Sequence, residues 1–227
     1  SVKPAAVGRT AVSLQIGSLR IEDGALHWTD LASPRPPAEW WLKRLDATVS
    51  HIALGRPMDL EMSGAIAGEA PNVRLRGRVT PPGPSQAGSV ENVTFALERV
   101  PLEQLLPAAR PDEPHLRGTL TVALEGRVET LEPSQAARAI TGSGNLKLDE
   151  PVVANVNLLR AVFDRISILP GLMDAFQARL PEGFRAKFEA RDTVLSPVDV
   201  TMRVDDGTLQ FDDLRLRSDT FEIEGEG

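Results

Sequence analysis

The chain has 227 residues, no cysteine and a formal net charge of −7. That length buries most of its apolar surface without a staple, the lack of cysteine removes disulfides and thiolate metal sites, and the acidic balance repels nucleic acid, whose phosphates are held by clustered Lys and Arg. Tyrosine is absent and aromatic residues make up only 4%, so the apolar content is aliphatic, an unusual composition for strands.

In chain order, Asp23-Gly24 is the first turn signal. Asp and Gly tolerate the positive φ of a two-residue hairpin, and a hairpin centred there sets Ile21 opposite Leu26 and Leu19 opposite Trp28. A Pro-rich loop follows at residues 33–38. Strand-like alternation then recurs at Met58, Leu60, Met62 and Ile66, and at Val73, Leu75 and Val79, with Arg74, Arg76 and Arg78 on the other face. A second Pro/Gly loop spans residues 80–89. Another strand carries Val93, Phe95 and Leu97, and residues 101–106 read as a short helix.

Residues 110–114 separate two strand-rich halves, either as a domain linker or as a long connection within one sheet. Beyond them the clearest strand runs over residues 116–129. Leu116, Leu120, Val122, Leu124 and Val128 form one face, while Arg117, Thr119, Thr121, Glu125, Arg127 and Glu129 form the other. A short helix is expected at residues 133–140, a helix-to-strand turn at Gly142-Ser143-Gly144, and a strand at residues 145–148 carrying Leu146 and Leu148. One long helical stretch covers residues 155–180. Leu158, Leu159, Val162, Phe163, Ile166 and Leu169 form its stripe, Pro170 interrupts it, Leu172, Met173, Phe176 and Leu180 resume it, and Pro181 and Gly183 end it. Asp206-Gly207 is a second hairpin signal, with Val204 opposite Leu209 and Met202 opposite Phe211. The closing residues 222–227 alternate as a strand, which leads one to expect further chain.

A sheet with one wet face is antiparallel as a rule. The expected fold is therefore mainly β: a curved antiparallel sheet, half-open or barrel-like, with a helical segment around residues 155–180. Residues 20–31 align without gaps on residues 203–214, either because Asp-Gly hairpins resemble one another or because a strand-turn-strand unit is repeated.

Catalytic chemistry is not found. His27, His51 and His115 are scattered, without helical zinc spacing; no nucleophile elbow or phosphate loop occurs. Asp205, Asp206, Asp212 and Asp213 lack the spacing of a calcium loop and read as turn formers. Neither a cofactor nor a metal is expected, and no enzymatic activity.

The order of several weak elements resembles the AsmA family. These elements are Ile21-Glu22-Asp23-Gly24-Ala25-Leu26-His27-Trp28-Thr29-Asp30; Val100-Pro101-Leu102 with Leu105-Leu106; the alternating Leu120 to Gly126 stretch; Gly142-Ser143-Gly144-Asn145-Leu146; Asn157-Leu158-Leu159, Phe163 and Leu169-Pro170-Gly171; then Val204-Asp205-Asp206-Gly207 and Leu216 with Ser218. The resemblance implies one β-rich domain over residues 1–227, a fragment of a longer periplasmic protein anchored in the inner membrane by a segment outside it. It implies a part in outer-membrane assembly, with phospholipid as cargo and other envelope proteins as partners, or else a scaffold role without lipid. The residues expected to line an acyl-chain groove are Leu116, Leu120, Val122, Leu124, Leu146, Leu148, Leu158, Val162, Phe163, Met202 and Val204, with the segment from Leu158 to Phe176 as a lid or plug.

Overall fold

The computed structural model describes residues 15–30, 38–53, 55–83, 87–106, 110, 112–166 and 182–225. A ten-stranded antiparallel sheet dominates them and does not close into a barrel. Its strands are β1 (Gln15–Asp30), β2 (Ala38–Ala53), β3 (Met58–Ala65), β4 (Val73–Thr80), β5 (Ser89–Pro101), β6 (His115–Val128), β7 (Ile140–Ala154), β8 (Thr193–Val194), β9 (Val198–Asp205) and β10 (Thr208–Asp212). Spatial order follows chain order, except that β8 and β9 both pair with β7. A separate ladder joins β11 (Leu214–Arg217) to β12 (Glu222–Gly225). Among the described residues three short helices complete the fold: α1 (Leu102–Leu105), α2 (Leu158–Ile166) and α3 (Glu182–Glu189).

Cross-strand partners share a face, and the register places apolar residues opposite one another from edge to edge. Leu19 faces Val49, which faces Leu60; Met62 faces Leu75, which faces Phe95. Phe95 faces Leu124, Leu97 faces Val122, Val122 faces Leu146, and Leu146 faces Val200. The ladder continues across residues 110–114, because β5 pairs directly with β6.

This register survives several irregularities. Asp23, Arg44, Asn92, Arg99 and Glu150 all have φ between 50 and 52°, and each lies at a register shift. They are bulges: an extra residue in the left-handed region is absorbed before the alternation resumes on its original face. In the β1–β2 ladder one bulge on each strand cancels the other. The shift between Ile21 and Gly24 is undone between Gly24 and Leu26.

Four sequence expectations are corrected. Asp23-Gly24 is not a hairpin turn. β1 runs straight through it, so Ile21 faces Ala47 rather than Leu26, and Leu19 faces Val49 rather than Trp28. A local hairpin would leave β2 unpaired on this side, whereas two 16-residue strands pair nearly end to end, and Asp23 becomes a bulge whose N–H donates to Asp46 Oδ1 at 3.0 Å. Residues 133–139 form turns instead of a helix. Ala136 and Ala139 donate to the Glu132 and Gln135 carbonyls, but Ile140 is already taken by β7, where it pairs with Val128. Gly142-Ser143-Gly144 lies inside β7, paired on both edges, and is no helix-to-strand turn. There β6 and β7 pack too closely for a side chain: a Cβ on Gly142 would meet the Glu125 carbonyl at 2.5 Å, and one on Gly144 would collide with that of Ala123. Gly183 does not end a helix but sits in the first turn of α3, where backbone N–H groups need no intrahelical partner. Residues 167–181, with Leu169, Pro170, Leu172, Met173, Phe176, Leu180 and Pro181, lie outside the described residues.

The second hairpin matches its sequence reading. Asp206 and Gly207 take φ of 49° and 69°, and Val204 faces Leu209 while Met202 faces Phe211. The gapless likeness of residues 20–31 to 203–214 thus covers two different structures, a bulge within a strand and a tight turn.

The core is small and lies toward one end of the sheet. Val73, Leu97, Val100, Val122 and Met202 form its buried cluster, and Leu42, Ile66, Leu105 and Phe211 pack against it. Gly64 makes room there: a Cβ at that position would meet Leu42 Cδ1 at 2.8 Å. Truncating Met202, which is 3% exposed between Gly144 and Phe211, to alanine removes a methylene, the thioether sulfur and a methyl from this cluster. Met202→Ala is expected to cost about 2–5 kcal/mol, read as a lower urea midpoint with an unchanged slope.

Candidate functional site

The surface with functional potential is the apolar face itself. Its side chains are held in rows by the ladder, so their positions follow from strand alternation and register. Few of them are buried. Leu60, Met62, Leu75, Phe95, Leu120, Leu124, Leu146 and Leu148 are all half-buried, and on β1 exposure rises to 58% at Leu19, 46% at Ile21, 53% at Leu26 and 64% at Trp28. The face is thus an aliphatic strip, closed by a small core at one end and increasingly open toward β1.

Of the side chains proposed from sequence, Leu116, Leu120, Leu124, Leu146, Leu148 and Val204 lie half-buried on this face. Val122 and Met202 share the face but belong to the buried cluster. Leu158, Val162 and Phe163 are on α2, not on the sheet; Val162 is 52% exposed, and the Phe163 ring packs at 5.3 Å against that of Phe188 on α3. The sequence reading omitted Leu60, Met62, Leu75, Phe95, Val198 and Val200 from the strip, although alternation marks each of them.

α2 and α3 are tied to the sheet at their base. Asn157 caps α2, its Oδ1 accepting the Arg160 N–H at 2.9 Å, while its Nδ2 points at the Lys187, Phe188 and Ala190 carbonyls at 2.8–3.0 Å. Thr193 Oγ1, buried, accepts the Leu158 N–H and donates to the Val156 carbonyl. Asp192 accepts the Asn155 N–H and the Arg117 guanidinium, each at 2.8 Å. No spacing rule in the sequence joins residues so far apart, and the reading missed this clasp.

The opposite face is a lattice of charges. Asp59 receives Arg78 at 2.8 Å and His51 at 3.1 Å, Glu61 receives Arg76 at 2.6 Å, and Arg74 pairs with Glu98. All are well exposed, so solvent screening leaves each with little net effect on stability. A shallow depression between β4 and β7 exposes Arg74, Arg76, Glu125 and Asn145, but both arginines already hold carboxylates. Each histidine has an ordinary neighbour: His27 stacks on Trp41, His51 meets Asp59, and His115 donates to the Glu113 carbonyl. Asp206 forms the hairpin turn, and Asp213 accepts from Arg215 at 2.8 Å. Among the described residues no cluster of His, Asp and Glu suits a metal ion, and no helix is long and apolar enough to cross a membrane.

Comparison with family models, with curated proteins and with solved structures finds no match to this chain.

The Asp59 carboxyl is held below its ordinary value of 3.8, chiefly by the hydrogen bond from Arg78, with His51 adding to the effect and desolvation opposing it. A folded-state value below the unfolded one makes the stabilising contribution present above the unfolded value and lost as pH falls through the folded one. Carboxyl NMR titration is expected to find Asp59 below the usual aspartate range, and Arg78→Gln to move it upward; an unmoved midpoint refutes this assignment.

Proposed function

We propose that this chain is a non-enzymatic, periplasmic part of an AsmA-like protein anchored in the inner membrane, and that its apolar face carries the acyl chains of phospholipid during outer-membrane assembly. The observation behind the reading is the strip itself. Apolar residues meet in register from β1 to β10, yet most remain partly accessible instead of being packed away. Contiguous exposed apolar surface of this extent is rare on soluble monomers unless something binds it. Aliphatic, weakly shaped lining suits disordered acyl chains better than a rigid polar ligand. Envelope location, anchoring and the assembly role come from the family resemblance and are analogy.

A scaffold role without cargo is the second reading, and one observation favours it. Among the described residues β1 pairs only with β2, leaving the other edge of a 16-residue strand available for strand addition.

Mass spectrometry of lipid extracted from the purified protein tests the first reading. The most telling variant is at Leu60, half-buried between Val49 and Gly77 and outside the buried cluster. Leu60→Asp is expected to abolish phospholipid retention while far-UV dichroism is unchanged. Val122→Asp, at 8% exposure within the cluster, places a charge in the core and is expected to unfold the sheet. A protein that neither carries nor takes up phospholipid defeats the cargo reading and leaves the scaffold.

A further inference from the structure

All three tryptophans of the chain occur in the β1–β2 pair, within two adjoining cross-strand rows: Trp28 faces Trp40, and His27 faces Trp41. Alternation sets Trp28 and Trp40 on the apolar face, and Trp41, stacked on His27 with ring centroids 4.0 Å apart, on the opposite face. Trp28 is 64% exposed and Trp41 46%. Trp40 is half-buried and donates its indole N–H to the Leu105 carbonyl at 2.9 Å, which brings the C-terminal end of α1, with its 58%-exposed Leu106, to the same place. Leu26, 53% exposed, lies beside them.

Two features narrow the partner. A rigid surface docking on a sheet covers one face, whereas indoles stand here on both faces of one strand pair. A fluid layer that admits the end of the pair wets both. Trp is also the side chain that favours the boundary between hydrocarbon and water, its ring apolar and its N–H free to bond. A net charge of −7 disfavours an anionic surface, so attraction must come from aromatic and aliphatic insertion. We propose that the Trp-bearing end of the β1–β2 pair seats in the headgroup region of a zwitterionic lipid bilayer. This contact borders the cargo strip through Trp28 and Trp40 but reaches beyond it, because Trp41 faces away from the apolar face.

Since every indole lies at this end and the chain has no tyrosine, intrinsic fluorescence reports on it directly. Intact phosphatidylcholine vesicles are expected to shift the emission to the blue, lipids brominated on their acyl chains to quench it, and the protein to sediment with the vesicles equally well at low and high salt. Trp28→Ala and Trp41→Ala should each lower the sedimented fraction several-fold. Leu60→Asp should leave sedimentation intact even where it abolishes lipid retention, so docking and cargo binding fail separately. Unmoved, unquenched emission of the unmodified protein overturns the proposal without recourse to variants. So does sedimentation that survives both tryptophan substitutions, or that salt abolishes.

Discussion

The register of the antiparallel ladder is the constraint on which the rest of the molecule depends. A shift of one residue anywhere would move a strand's aliphatic side chains to the charged face and its arginines and glutamates to the other. Every bulge therefore has to be compensated. In the β1–β2 ladder the compensation is direct, one extra residue against another. In β5 the extra residues at Asn92 and Arg99 lengthen the strand while Val93, Phe95, Leu97 and Val100 keep facing Gly126, Leu124, Val122 and Leu120. Side chains at the bulges are polar, and Asp and Asn tolerate the left-handed conformation better than most. Arg44, Arg99 and Glu150 have no such preference, and the surrounding ladder holds them there.

A single sheet with one dry side has little to pack against. Among the described residues the buried cluster is correspondingly confined to Val73, Leu97, Val100, Val122 and Met202, reinforced by α1, Leu42, Ile66 and Phe211. Glycines mark where backbone and side chain crowd together: Gly64 beneath Leu42, and Gly126, Gly142 and Gly144 where β6 and β7 approach. Outside that region the ladder's hydrogen bonds and cross-strand pairs carry the structure. Most pairings join strands adjacent in the chain, so those ladders form without closing a long loop, whereas the pairing of β7 with β8 and β9 closes the excursion through α2 and α3.

Much of this was legible in the sequence, because period-two alternation reports the buried side of a strand directly. The faces of β6, the strand character of β3 and β4, the short helix α1 and the Asp206-Gly207 hairpin all followed from local pattern. The Asp23-Gly24 reading failed because the same dipeptide serves a type I′ turn and a bulge, and which one forms depends on whether a long partner strand is waiting elsewhere. Gly142-Ser143-Gly144 misled for a related reason: glycine marks a need for space as readily as a turn, and only the neighbouring strand reveals which. For the candidate strip, alternation identified the face, but separating core residues such as Val122 and Met202 from accessible ones such as Leu60 required the three-dimensional neighbourhood. The clasp of Asn157, Asp192 and Thr193 was illegible, since its partners are dozens of residues apart and no spacing links them.

That clasp has a consequence for how the protein can change. Asn155 and Asn157 on the way out are tied to Asp192 and to the carbonyls of 187, 188 and 190 on the way back. The chain thus leaves the sheet and returns to it through one tied gate, and β7 meets β9 in the register set by residues 142–148 and 198–204. Of the described residues between the two sides of the gate, α2 and α3 are anchored at their base by this clasp. A change of length within this arm is therefore expected to leave the pairing of residues 142–148 with 198–204 in place.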